Sequence, residues 1–312
     1  MTDNFKAIIK RIPFSTRFVG VVRGLRKTTG HKVHGMTSSG EQNYFRHYAQ
    51  DIYSGAGEIV DLGCWLGSTT IPLTQGLRKN QHMSMKEKRI HAYDLFVWEK
   101  WMDPHMRGCR KEYSPGENFL EEYKARTHNY SDLIKIYPGD LQQIGWIGKP
   151  IEFLLVDAMK SWKIAEYIVK HFYPCLLPGK SLLLHQDFKH YYTSWIHLIQ
   201  YRLRDYFTFE LDILNSSSVV FRLKKQIDCD LKWLADLKSF SNHDVDEAFD
   251  YSMSLTGGKP SNIAAAKVMY FAHLNRVPEA KKILSDFVQQ GFSQESELAI
   301  CKKVLAAKEA QT

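Results

Sequence analysis

Residues 58–70 read EIVDLGCWLGSTT: Glu58-Ile59-Val60-Asp61-Leu62, then Gly63-Cys64-Trp65-Leu66-Gly67, then Ser68-Thr69-Thr70. A short apolar run carrying a carboxylate near its end, a bend with two glycines four apart and a hydroxyl-rich helix start predict the strand–turn–helix unit of a doubly wound α/β sheet. Glycine permits left-handed backbone and close approach of a ligand. The free amides of the first helical turn then face that ligand. Many α/β chains turn this way for steric reasons alone, so the reading depends on what stands at the ends of the later strands.

Downstream, short apolar runs alternate with helical stretches, as in a parallel sheet wrapped by helices. The runs are 89–96 (RIHAYDLF), 134–137 (IKIY), 151–156 (IEFLLV) and 181–185 (SLLLH). A last pair, 207–214 (FTFELDIL) and 218–223 (SVVFRL), is joined by Asn215-Ser216-Ser217, a polar turn suited to an antiparallel hairpin. The expected fold is therefore α/β and Rossmann-like, with a seven-stranded, mostly parallel sheet ending in a hairpin. Three regions follow: a basic helical N-terminal segment (1–55), an α/β core (56–225) and a helical C-terminal appendage (226–312). Within the first, 39–53 reads as a helix with a Ser cap and an early Glu. Within the last, 263–288 reads as two helices joined near Asn275-Arg276-Val277-Pro278, which cap the core or mediate self-association as a homodimer.

Further carboxylates stand at the expected strand ends. Asp94 closes the second strand, where it can accept from both ribose hydroxyls of a nucleoside, and Gly139-Asp140-Leu141 follows the third, where it can meet an adenine amino group. The series Asp61-x-Gly63-x-x-x-Gly67, Asp94, Gly139-Asp140 and Val156-Asp157-Ala158 resembles the motif series of class I S-adenosylmethionine-dependent methyltransferases over about residues 40–224. Within that family, Leu154 to Ala158 followed by 172–180 (FYPCLLPGK) is similar to the macrocin O-methyltransferase group, which methylates sugar hydroxyls. The resemblance implies S-adenosyl-L-methionine as donor, held by Asp61, Gly63, Cys64, Trp65, Gly67, Ser68, Asp94, Asp140, Leu141 and Asp157. It implies as acceptor a hydroxyl of a small molecule, sugar or glycan.

The same group implies magnesium (Mg2+), with acidic ligands at the ends of the fourth and fifth strands. Asp157 and Asp187 are the ligand candidates, but where that group has two adjacent aspartates this chain reads His185-Gln186-Asp187-Phe188. One carboxylate is missing, and a hard divalent ion favours several oxygen ligands. Transfer to oxygen also needs in-line positioning and removal of the hydroxyl proton. His185, with an ordinary imidazole pKa of about 6.5, Asp187 and Asp157 are the catalytic candidates. The competing readings are a histidine that closes a strand and an aspartate that caps a helix.

Trp98, Trp101, Trp162, Tyr191, Tyr192 and Trp195 all follow carboxyl ends of strands, where open sheets bind ligands. Flat rings suit sugars or planar aromatics, and ordinary cores use the same residues. The charged stretch 99–129 suggests a cover over the pocket, with Arg107, Arg110 and Lys111 available to an anionic acceptor.

A formal net charge of +8 admits a polyanionic partner or a solubilising surface. No Asn-Pro-Pro-Tyr-like segment follows the fourth strand, where Asp157-Ala158-Met159-Lys160 stands, which argues against nucleic acid as substrate. The mixture of basic and apolar residues before 35 suits peripheral contact with an anionic membrane surface, or a helix packed on its own protein. No apolar run approaches the ~18 residues of a transmembrane helix. The five cysteines (64, 109, 175, 229, 301) contain no C-x-x-C pair, so neither zinc nor a disulfide framework is expected and a cytoplasmic location fits. Cys64, Trp65 and Leu66 stand where G-x-G-x-x-G would need another glycine, against a nicotinamide oxidoreductase. A non-catalytic scaffold retaining the fold is the alternative from another class.

Overall fold

The computed structural model describes residues 32–81, 87–106, 108–257, 259–292 and 297–310. The basic segment before residue 35 lies outside them as far as residue 31, and so does Arg107. Helix α1 (Ser39–His47) opens with a capping box in which Ser38 Oγ accepts the Glu41 amide at 3.2 Å and Glu41 accepts the Ser38 amide at 2.6 Å. It runs into a π-turn over Tyr48–Ile52.

The core then alternates as the apolar runs predict: β1 (Glu58–Leu62), α2 (Thr70–Leu77), β2 (Ile90–Asp94), α3 (Leu120–Thr127), β3 (Ile134–Pro138), α4 (Leu141–Ile144), β4 (Ile151–Val156), α5 (Trp162–His171), β5 (Leu182–His185), α6 (Trp195–Arg202), β6 (Phe207–Asp212) and β7 (Val219–Leu223). The sheet order is β3-β2-β1-β4-β5-β7-β6. β1 to β5 pair in parallel, and β7 lies antiparallel between β5 and β6. β1 therefore has β2 on one side and β4 on the other, and the chain departs from it in both directions. At such a switch point the connecting loops diverge and leave a crevice outside the carboxyl ends of the strands.

Both faces of the sheet are covered, and β1 and β4 are buried throughout, which is why they read as continuous apolar runs rather than as alternation. Ile59, Phe153, Leu155 and Leu184 face Phe45, Tyr48 and Leu73, with the Tyr48 ring stacked on Phe153 at 4.2 Å. Val60, Leu62, Leu154, Val156 and Leu183 face Ile168, Phe172 and Ile199. The C-terminal helices α7 (Asn242–Leu255), α8 (Pro260–His273), α9 (Val277–Gln289) and α10 (Glu297–Glu309) extend this second layer. Phe249, Ile263, Ala264 and Tyr270 belong to the same continuous core. Among the described residues no helix is long and apolar enough to cross a membrane.

One close approach was not foreseen. α1 crosses α2 at Gly76, where an added Cβ would stand 2.4 Å from the Arg46 carbonyl oxygen and 2.7 Å from Ala49 Cβ. Gly76→Ala must push the helices apart and is expected to lower the unfolding free energy by about 1–3 kcal/mol. Urea titration measures this, and an unshifted midpoint would contradict the crossing.

Candidate functional site

Gly63 and Cys64 both donate their amides to the Tyr93 carbonyl, at 2.8 and 3.1 Å, which turns the chain over the end of β2. Gly63 and Gly67 take φ of 92° and 83°, as a glycine bend requires. Two aromatic residues are also left-handed, Trp65 at φ 42° and Phe96 at φ 53°. Such backbone costs on the order of 1–3 kcal/mol per residue and persists only where its surroundings fix it. Asp94 does so: its Oδ2 accepts the Trp65 amide and its Oδ1 the Phe96 amide, each at 2.8 Å. Each oxygen keeps lone-pair capacity for a further donor.

β2 and β3 run in register with Asp94 opposite Pro138, and the Gly139 amide donates to the Asp94 carbonyl at 2.9 Å. Asp140 therefore stands at the neighbouring strand end, where it caps α4 by accepting the Gln142 amide at 2.9 Å. Leu141 is buried behind it. The structure thus brings the 63–67 turn, Asp94 and Asp140 to one rim.

Asp61 is not part of that rim. It is wholly buried, with Oδ2 accepting from the Thr69 and Thr70 hydroxyls at 2.7 Å each, and it fastens the start of α2. Burial lifts its carboxyl to about pKa 6. Cys64 and Ser68 are buried too, and the segment before α1 covers Ser68: Thr37 Oγ1 donates to the Ser68 carbonyl at 3.1 Å. The Trp65 ring is buried among Trp98, Trp101 and His105.

On its other side the glycine turn meets the end of β4. A Cβ on Gly63 would lie 3.1 Å from the Asp157 carbonyl carbon and 3.2 Å from Asp157 Cβ, so only glycine admits this contact without displacement. The ends of β4 and β5 adjoin, Val156 opposite His185, and this places Asp157 and Asp187 about a common point. Lys160 occupies that point. Its Nζ donates to Asp157 Oδ1 at 2.6 Å and also to Asp187 Oδ2. Burial pushes the Asp157 carboxyl up to about 7. Burial acts on Asp187 in the same sense, but the Lys160 ammonium and other polar neighbours outweigh it and hold Asp187 below the usual carboxylate range. From here a cleft of about 760 Å³ opens, walled by Trp101, His190, Tyr191, Tyr192, the 215–217 turn and Lys259, with Met36, Ser38 and Glu41 along one side.

His185 is a correction. It sits in β5 with its side chain fully buried beside Phe188 and Phe221, and its Nε2 shares a hydrogen with the Tyr173 hydroxyl at 3.2 Å. Burial drives its pKa down to about 3, so the imidazole is neutral, and it is not among the residues that line the cleft. The histidine in the cleft is His190. Of the six aromatic candidates, Trp101, Tyr191 and Tyr192 line the cleft. Trp98 stacks on Tyr113, Trp162 donates to the Leu234 carbonyl and Trp195 to that of Met159, so these three serve packing. Arg110 and Lys111 are tied to Glu122 and Glu117 rather than offered to an acceptor.

Sequence reasoning missed Lys160, although its position three residues after Asp157 was a usable signal. Lys259, contributed by the turn before α8, carried none.

The magnesium reading fails on the donor set. A hard divalent ion needs several oxygens, whereas here an ammonium lies between the only two carboxylates proposed for it, Asp157 and Asp187. Among the described residues no three His, Cys, Asp or Glu side chains are grouped to hold a metal.

No family model and no curated protein matches the chain. Among solved structures it is similar to the O-methyltransferase NovP, with 16% identity and TM-score 0.48 over 62% of this chain and 83% of that one. It is also similar to CalS11, a TDP-rhamnose 3'-O-methyltransferase of calicheamicin biosynthesis (13%, TM-score 0.41, 70% and 91%), and to the O-methyltransferase from Bacillus cereus in complex with SAH (15%, 0.38, 69% and 93%). The strand order and directions of this chain are those of the Rossmann-like α/β fold expected from its sequence, a mostly parallel seven-stranded sheet with an antiparallel end.

Behind His185, the ring of His197 on α6 lies between Phe188 and Phe249 at 4.9 and 4.7 Å, and burial likewise lowers its pKa to about 3. The unfolded chain binds protons at these imidazoles below about pH 6.5 while the folded one does not. Their contribution to stability is therefore full above that pH and is lost as the pH falls towards 3. His197→Leu is expected to flatten the acid limb of the stability profile by one proton, ~1.4 kcal/mol per pH unit. Unfolding titrations between pH 4 and 7, at roughly unit intervals, measure it; an unchanged limb would mean that the folded protein accommodates the imidazolium.

Proposed function

We propose that the protein transfers a methyl group from S-adenosyl-L-methionine to a hydroxyl oxygen of a sugar or another small acceptor. The observation that carries this reading is the contact of Gly63 with Asp157, which joins the rim of strand-end carboxylates to the aromatic cleft. The rim suits an adenosyl group. Asp94 can accept from ribose hydroxyls while it holds the Trp65 and Phe96 amides, and Asp140 has a second oxygen for an adenine amino group. The donor, when bound, supplies an electrophilic methyl on a sulfonium.

What remains for the chain is to align the acceptor, exclude water and receive a proton. Trp101, Tyr191 and Tyr192 offer flat faces to a sugar ring, and Asn215 and Ser217 offer polar contacts beside them. Asp187, held ionised beside Lys160, lines the cleft and takes the part of proton acceptor, with Asp157 as its partner at the donor side.

Equilibrium titration with S-adenosylmethionine and S-adenosylhomocysteine is expected to show saturable binding of both, and its absence would refute the reading in favour of a scaffold. Asp94→Ala should weaken donor binding by about 1.5–3 kcal/mol, with a far-ultraviolet spectrum to confirm that the turn survives. Asp187→Asn is expected to suppress methyl transfer to acceptors in a cell extract supplied with labelled donor, while donor affinity stays within about twofold. Full activity would remove Asp187 from the chemistry.

A further inference from the structure

We propose that the Lys160 ammonium holds the position that a divalent cation holds in the metal-dependent methyltransferases this chain resembles, and orients the acceptor hydroxyl there without metal. The inference rests on the methyl-transfer reading for its chemistry, but not for its geometry.

An ammonium has three N–H donors. One meets Asp157 Oδ1 at 2.6 Å, a second meets Asp187, and Lys160 itself lines the cleft, so the third is available to a ligand. Its place is built in by the fold. The Lys160 amide closes a tight turn onto the Ala158 carbonyl at 2.7 Å directly after β4. The preceding Met159 carbonyl is held by the Trp195 indole at 2.8 Å, and the next residue, Ser161, caps α5 by accepting the Ile164 amide at 3.3 Å. A lysine on a strand-to-helix junction fixed at three points is not a loose surface side chain. Gln186 stands where a further acidic ligand would be needed, and Lys259 adds a second positive charge to the same cleft. A metal ion would have to expel one cation and sit near another, with two carboxylates to hold it.

In the step this implies, the free N–H of Lys160 donates to the acceptor hydroxyl oxygen and stabilises negative charge as it develops there. The hydroxyl proton passes to a carboxylate oxygen of Asp187. The oxygen lone pair forms the new C–O bond as the S–C bond of the sulfonium breaks, and that electron pair stays on sulfur as a neutral thioether. Charge balances: carboxylate and sulfonium become carboxylic acid and thioether.

Manganese(II) is the probe. Titration of the full chain, followed by electron paramagnetic resonance, is expected to show no saturable Mn2+ binding that depends on Asp157, whereas Lys160→Met frees both carboxylates and should bind Mn2+ at least about tenfold more tightly than the parent. Methyl transfer by the parent is expected to be insensitive to a chelator, and Lys160→Met should lower kcat on the order of 100-fold, with S-adenosylmethionine affinity unchanged. Saturable Mn2+ binding by the parent that Asp157→Asn abolishes, or transfer that stops on chelation, would overturn the proposal. The parent titration decides even if the variant fails to fold. Failure of the protein to bind S-adenosylmethionine would instead sink the functional reading and leave the Mn2+ result standing.

Discussion

A strand buried on both faces has no place for a charged side chain except at its end, and that constraint organises this protein. β1 and β4 lie between two hydrophobic layers, so their carboxylates stand towards the strand ends. Glu58 and Glu152 are at the amino ends, bonded to His91 and to the 54–57 amides, and the carboxylates of the cleft stand just past the carboxyl ends. Asp61 tests the rule. It lies inside β1, and its carboxylate is tolerated because two threonine hydroxyls of the following helix turn reach it. The same bonds set where α2 begins, and hence how the glycine turn meets its neighbours.

At the carboxyl ends, each carboxylate does local structural work before it meets any ligand. Asp94 holds two left-handed aromatic residues, Asp140 starts a helix, and Asp157 and Asp187 share one lysine. A rim that is already hydrogen-bonded is preorganised, and a ligand then adds to existing bonds without having to order the loop. The C-terminal helices take part in this order. Asn262 of α8 donates to the Lys189 carbonyl at 3.1 Å, and Glu297 of α10 accepts the Tyr191 amide at 2.5 Å. The wall of the cleft is thus fastened by a region remote in sequence, and Lys259 comes with it.

Much of the fold was legible because its signals are local. Apolar runs of strand length, the 63–67 bend and the polar 215–217 turn each act within a few residues, and the observed strands fall inside the expected runs or extend one by a single residue. The site was legible only in outline. Strand-end position marked Asp94, Asp140, Asp157 and Asp187, but the same rule proposed His185, which lies on the buried face of β5 under α6. Strand-end position says nothing of which way the last side chain points. Aromatics divided in the same way, because ring size alone suits both a core and a cleft.

The sequence by itself determined the order of elements, the parallel core with its antiparallel end and the chain positions where chemistry can stand, since periodicity and turn chemistry are properties of neighbouring residues. Only the tertiary structure decided what those positions do. That Lys160 bridges two aspartates requires the ends of β4 and β5 to lie side by side, with Asp187 27 residues further along the chain. That Lys259 faces the same cleft requires the helical layer to close over the sheet. Such relations arise from packing between distant segments, and no local pattern encodes them.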